Sequence, residues 1–276
     1  MPIDPDKAIG AALPSQQLSW DASDVLLYHL ALGAQPDELR YVYERDLVVL
    51  PTFAVVASTL RDTRPPSLSM PGIDVDLVQA LHGRQELVVR QTIPVDGQAT
   101  TNSRIVDVYD KGSAAVIVTE TETPYFTNKT TIFVRGEGGF GGSRGPSTRD
   151  PAPSREPDAT VLCPTWPQQA LWYRLCGDRN PLHVDPAFAA LAGFPRPILH
   201  GLCTYGLVGK AIVDAMLDGD PTRVTGFSGR FAGVVFPGET LRLRIWRADG
   251  HLQVLATVAD RGDAPALTDA RMTSKT

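Results

Sequence analysis

The chain has 276 residues, a net charge of −5, and 43% hydrophobic and 21% charged residues, the balance of an ordinary soluble globular protein. No basic stripe marks it as a nucleic-acid binder, and no apolar run approaches the roughly 18 residues of a membrane span. Met1-Pro2-Ile3-Asp4-Pro5-Asp6-Lys7 lacks the basic-then-apolar start of a secretory signal, and three cysteines, an odd and low count, argue for a reducing, cytoplasmic setting without a disulfide scaffold.

In chain order, Leu50-Pro51-Thr52-Phe53 opens an apolar helical stretch. β-branched and alternating runs then predict strands over residues 87–93, 101–109 and 114–123, with a hairpin turn at Asp110-Lys111-Gly112. Residues 136–158 hold seven positions of glycine-rich sequence, Gly136 to Gly142, followed by Pro146, Pro151, Pro153 and Pro157. Glycine and proline at this density break structure, so residues 1–135 and 159–276 read as two domains around a linker. In the second half, residues 166–176 and 186–192 predict short helices. Residues 201–217 predict a long one whose charges, Lys210 and Asp214, lie four apart on one face. The rest of that helix is apolar or small, so it should be buried nearly all round, with Gly206 and Gly209 admitting a neighbour closely. Strands follow over 225–231, 240–247 and 253–259, with Asp249-Gly250 as a hairpin turn.

The two halves correspond. Gly33-Ala34 matches Gly177-Asp178, Leu50 matches Leu199, and His82-Gly83-Arg84 matches Ser228-Gly229-Arg230, at offsets of 144, 149 and 146 residues. This points to a duplicated unit: one buried helix against an antiparallel sheet, twice, which is an α+β plan.

The chemistry sits in Gly177-Asp178-Arg179-Asn180-Pro181-Leu182-His183-Val184-Asp185. Gly177 and Pro181 bracket a tight turn, across which Asp178 and His183 can converge on one water as a proton-transfer pair. Asn180 can fix the turn or hold that water. Taken alone, Asp178 and Asn180 are also common turn residues, and Asp185 before Pro186 is a plain N-cap. The first half has Gly33-Ala34 at the equivalent place and nothing like Asn-Pro-Leu-His after it, which implies one active site per chain.

Together with Pro197-Ile198-Leu199-His200-Gly201-Leu202, this string resembles the signature of the MaoC-like (R)-specific 2-enoyl-CoA hydratases, the hydratase 2 family. Leu50-Pro51-Thr52-Phe53, Leu81-His82-Gly83, Asp110-Lys111-Gly112 and Gly136 to Gly142 resemble the N-terminal half of its two-repeat members. The resemblance implies a double hot dog, in which each repeat wraps a sheet round a long central helix. It implies reversible hydration of a trans-2-enoyl-CoA to a (3R)-3-hydroxyacyl-CoA. Asp178, His183 and Asn180 would surround the catalytic water, and Gly201 would offer its helix-start N–H to the thioester oxygen. His82, Gly83, Lys111, Arg179, Pro181, Leu182, Phe231 and Arg230 would contact the acyl-CoA. The implied partner is that small molecule and a second copy of the chain in a homodimer, with no cofactor beyond the CoA of the substrate, no metal, no nucleic acid and no membrane.

Other signals fall away. Gly136-Glu137-Gly138-Gly139-Phe140-Gly141 fits a dinucleotide fingerprint but precedes a proline-rich stretch and no helix. Asn128-Lys129-Thr130 fits a glycosylation sequon without a secretory route. Cys163, Cys176 and Cys203 lack zinc spacing and read as core. Two alternatives share the fold: a thioesterase in which Asp178 activates water against the thioester carbonyl, and a non-catalytic acyl-CoA-binding partner. Straight, branched, sterol side-chain and polyketide acyl groups all fit the pattern.

Overall fold

β-branched residues fill the middle of Asn102–Asp110, Ala114–Glu122 and Phe126–Arg135, and all three are strands. The computed structural model describes residues 2–147 and 149–275. Ten strands form one antiparallel sheet. Five precede the glycine-rich segment and run in the spatial order Ala12–Leu13, Asn102–Asp110, Ala114–Glu122, Phe126–Arg135 and Ala80–Val89. Five follow it, in the order Val224–Phe231, Ala264–Ser274, His251–Val258, Thr240–Ala248 and Ala159–Pro164.

The halves meet where Ala80–Val89 pairs with Val224–Phe231. Arg84 lies opposite Arg230 in that ladder, and these two residues are also separated by the offset of 146 seen in the sequence. A local twofold relating the strands therefore passes between them.

The helix Gly201–Met216 lies in the fold of this sheet, with eleven of its residues buried. A Cβ on Gly206 would come within 2.7 Å of Tyr28 and Leu32, and one on Gly209 within 2.8 Å of Thr52. Both contacts are with the first half, so the two glycines let the helix seat between the halves. Lys210 and Asp214 pair at 2.9 Å on its outer face.

The first half departs from expectation. Its central helix is only a 3-10 segment, Pro51–Val55, followed by hydrogen-bonded turns at Thr59, Leu60 and Asp62. Thr52, Val55, Val56 and Thr59 are β-branched and disfavour a long helix, and Pro65-Pro66 ends any continuation. Residues 58–67 follow as a strap of turns and irregular chain with no helix. The strand predicted over 87–93 starts earlier, at Ala80, and ends at Val89. Its first residues include buried Gln85, whose polar side chain breaks the apolar alternation.

The glycine-rich segment folds round a carboxylate. Asp110 accepts N–H bonds from Gly112 at 2.7 Å, Gly139 at 2.9 Å and Gly141 at 2.6 Å. Those bonds, Gly139 first, hold its pKa below the usual carboxylate range. Residues 143–147 carry no helix, so no dinucleotide fingerprint is formed. From Asp150 the chain is fastened to the outer face of the second half. Asp150 pairs with Arg271 at 2.7 Å, Gln253 reaches Pro151 O at 2.9 Å, and Trp246 reaches Arg155 O at 2.9 Å. All three cysteines are free, and Cys176 and Cys203 are buried. The sequon residue Asn128 is buried too, donating to Ala54 O at 2.8 Å.

One core histidine makes acid stability testable. His29 donates from Nδ1 to Tyr41 O at 3.0 Å and accepts from Leu50 N on Nε2 at 3.3 Å. Burial pushes its pKa down to about 4. The unfolded chain takes up this proton below about pH 6.5, so it binds more protons than the folded chain between about 6.5 and 4. Stability from this group is therefore full above that window and falls as pH drops through it, by up to about 3 kcal/mol. The urea midpoint should decline steadily from pH 7 to pH 4.5; a flat midpoint would contradict the buried neutral histidine.

Candidate active site

The site begins where a helix must stop. Gln169–Tyr173 tightens into the 3-10 turn Arg174–Cys176 and ends at Gly177, whose φ is 110°. A Cβ there would lie 1.6 Å from Thr59 O, so the left-handed turn and the close strap both require glycine. Thr59 Oγ1 donates to Cys176 O at 3.3 Å and Arg179 Nε donates to Asp62 O at 2.8 Å. The strap is thus tied to the turn on both sides of Asp178.

Asp178 Oδ1 accepts from Asn180 N at 3.2 Å, and Asn180 Oδ1 accepts from Leu182 N at 3.0 Å. Asn180 caps the 3-10 turn Pro181–His183, with proline at its first position. Its carbonyl oxygen is therefore committed to the turn, although the residue still faces the cavity. The turn swings His183 inward, where it is 8% exposed. His183 Nδ1 donates to Ile198 O at 2.9 Å. That bond fixes the proton on Nδ1 in the neutral ring and leaves the Nε2 lone pair free. Burial lowers the His183 pKa, and the Asp178 carboxylate opposes that shift.

A cavity of about 460 Å³ collects Asp178, Asn180, Leu182, His183 and Gly201. His82, Gly83, Arg230 and Phe231 line it as well. Most of its remaining wall is apolar, including Leu81, Ile132, Phe133 and Val234. His82 gives an Nε2–H bond to Gln85 Oε1 at 3.1 Å, and burial pushes its pKa down to about 4. Arg230 is held by Asp269 at 2.6 Å. A second space of about 600 Å³ lies under the strap and shares Pro66, His82, Ile132, Asp178 and Leu202 with the first.

Three of the residues expected to contact the acyl-CoA do not line this cavity. Lys111 stands on the exposed hairpin turn, with its ammonium bonded to Arg144 O and 5.7 Å over the Tyr109 ring. Arg179 faces the strap as described, and Pro181 only starts its turn. None of the three lines the cavity. For Lys111 the reason is distance along the first-half sheet: the hairpin it caps lies beyond the strands that wall the site.

Gly201 starts the long helix, and no side chain caps that end. The N–H groups of the first turn have no partners within the helix and carry its positive end. A Cβ on Gly201 would stand 3.3 Å from the Phe231 ring, so glycine keeps the approach to that N–H open.

His200 is a site residue that local sequence pattern does not single out. It is fully buried, and its ring stacks on His183 with centroids 3.7 Å apart. A weak signal is the imidazole at a helix N-cap, where Ser, Thr, Asp or Asn is preferred and a cap bond is expected. Asp178, His183 and His200 each place a donor atom within 4.8 Å of the others. A metal would need their lone pairs to converge. The histidine planes are stacked 3.7 Å apart and inclined only 27°, so lone pairs lying in those two planes meet poorly at one point, and His200 Nε2 is already bonded to Asp178 O at 3.3 Å. The cluster suits a shared water and fits a metal poorly.

A long antiparallel sheet folded round a helix, with a carboxylate and an imidazole gathered near that helix's start, is a double hot-dog arrangement. Residues 148–260 match the MaoC like domain, and residues 18–136 match the MFE-2 hydratase 2 N-terminal domain. The chain is 54% identical to Enoyl-CoA hydratase ChsH3 of Mycobacterium tuberculosis, over 95% of this chain and 96% of that one. It is 38% identical to the Peroxisomal multifunctional enzyme type 2 of Drosophila melanogaster, over 88% of this chain but only 44% of that longer protein. The crystal structure of a MaoC-like dehydratase from Phytophthora capsici superposes with a TM-score of 0.90 at 27% identity, covering 99% of this chain and 98% of that one. The chain belongs to the MaoC-like hydratase 2 family. No helix among the described residues is long and apolar enough to cross a membrane.

Proposed function

We propose that the protein catalyses reversible addition of water to a trans-2-enoyl-CoA, giving a (3R)-3-hydroxyacyl-CoA in fatty-acid or related acyl-CoA metabolism. The observation that carries this reading is the convergence of the Asp178 and His183 donor atoms within 4.8 Å in the cavity that Gly201 opens. One water fits between two groups at that spacing, at about 2.8 Å from each. The names of the relatives support the same chemistry.

Hydration breaks one O–H bond of water and the C2=C3 π bond, and forms C3–O and C2–H bonds; the π electron pair ends in the C2–H bond. The Asp178–His183 pair takes the proton as the oxygen attacks C3 and delivers a proton to C2, acting as one coupled unit. Negative charge builds on the thioester oxygen, where the Gly201 N–H and the helix dipole receive it. His82, Leu182, Phe231 and Arg230 shape the passage for the thioester. The two connected spaces give a bulky or long acyl chain room on the strap side. In this reading residues 159–276 carry the acid–base pair and residues 1–135 complete the acyl-CoA groove.

The reading includes a cytoplasmic enzyme that needs no cofactor beyond its substrate's CoA and acts as a homodimer, which sedimentation would test. A panel of enoyl-CoAs graded in length and bulk tests the reaction itself. Loss of enoyl-thioester absorbance with chiral analysis should return the 3R alcohol. Free thiol without loss of the double bond would support a thioesterase, and tight binding without either would support a non-catalytic role.

Gly201→Ala should lower kcat about tenfold, because its Cβ crowds Phe231 and the thioester oxygen at the amide where charge collects. Steady-state rates on one enoyl-CoA check this, and a variant within twofold of the parent would remove Gly201 from the oxyanion role.

A further inference from the structure

We infer that His200 is a positioning residue that fixes all three reacting groups of the site at once. The inference rests on the hydration reading above. Each of the three connections is direct. The His200 ring lies against His183, with centroids 3.7 Å apart and planes inclined 27°, which sets the plane of the imidazole. Its Nε2–H donates to the Asp178 main-chain carbonyl at 3.3 Å, which holds the backbone that carries the carboxylate. It also immediately precedes Gly201, with φ −56° and ψ 133°, so its own conformation aims the Gly201 N–H.

The surroundings leave His200 little freedom. It is 0% exposed, and the Tyr173 ring closes on it at 4.9 Å. Its Nδ1 has no hydrogen-bond partner among the described residues, so one hydrogen bond and two ring contacts define its pose. Burial, reinforced by the neighbouring His183, keeps its pKa well below the usual histidine range. It is therefore an uncharged donor at neutral pH and adds no repulsion when His183 takes up a proton. Phenylalanine would keep only the ring, and glutamine only the donor.

Positioning has a distinct kinetic signature. Misplacing reacting groups by about 1 Å costs on the order of 100-fold in rate without removing any contact to the substrate. The test compares kcat and KM for trans-2-butenoyl-CoA hydration in the wild type, His200→Ala, His200→Gln and His200→Phe, with thermal melts to confirm folding. The expected result is a loss of about 100-fold in kcat for His200→Ala with KM within about threefold. His200→Gln and His200→Phe should each recover part of that loss, since each restores one of the two anchors. A folded His200→Ala with kcat within twofold of wild type would overturn the inference. So would a KM that rises in step with the loss of kcat, or Gln and Phe variants no better than Ala. If His200→Ala does not fold, the Gln and Phe variants decide: about tenfold losses at unchanged KM support positioning, and wild-type kcat in both contradicts it. A wild type that hydrates no enoyl-CoA would remove the functional reading and this inference together. A wild type that hydrates normally beside unaffected variants would remove only the role of His200.

Discussion

Asp178→Asn and His183→Gln should each lower kcat for enoyl-CoA hydration by about 10³-fold or more while leaving the fold intact. General acid–base groups contribute roughly 10² to 10⁴ in rate, and a coupled pair loses most of its function when either member goes. A loss of 10³ corresponds to about 4 kcal/mol of barrier. Asparagine at 178 keeps the oxygen that accepts from Asn180 N, so the turn survives and only the proton acceptor is lost. Glutamine at 183 loses the ring that bonds Ile198 O and stacks on His200, which costs stability on the order of 1 kcal/mol. Melting curves beside single-turnover rates separate the two effects. Near-normal turnover by either variant would contradict the assignment.

The second large effect comes from a residue with no side chain. Gly177→Ala should reduce both stability and activity. Its φ of 110° lies in a region that costs alanine about 1–2 kcal/mol. Its Cβ would also stand 1.6 Å from Thr59 O, a backbone atom with no rotamer to give way. The strap must move, and Asp178 is the next residue along. A loss of at least about 3 kcal/mol is expected, which lowers Tm by roughly 5–10 °C for a protein of this size. kcat should fall with it, because the strap and the catalytic turn share the bonds from Thr59 and Arg179. An alanine variant that melts within 1 °C of the parent, with full kcat, would show that the strap does not press on the turn.

Sequence carried the site better than it carried the first half. Gly177, Pro181 and His183 are legible because a glycine and a proline fix a turn locally, with little help from distant residues. Gly206 and Gly209 were legible for a similar reason: small residues in an apolar helix mark a close neighbour wherever it comes from. The hairpin at Asp249-Gly250 follows from its turn chemistry, and Ala248 does face His251 across it. The early part of Ala80–Val89 was not legible, because Gln85 is buried by bonds to Asn128 and Thr130 that come from a distant strand. The apolar run after Leu50 looked helical, yet its β-branched residues and the following prolines hold it to one short turn. His200 gives no local signal of its role, since that role lies in a stacking partner 17 positions away. Lys111 illustrates the converse: motif resemblance brought it into the substrate set, while the fold places it on an exposed turn outside the cavity.

The most direct measurement is a crystal structure of the wild-type protein with a (3R)-3-hydroxyacyl-CoA bound. The product hydroxyl is expected within about 3 Å of both the Asp178 carboxylate and His183 Nε2, and the thioester oxygen within the same distance of the Gly201 N–H. A hydroxyl that reaches neither Asp178 nor His183, or a thioester oxygen turned away from Gly201, would contradict it.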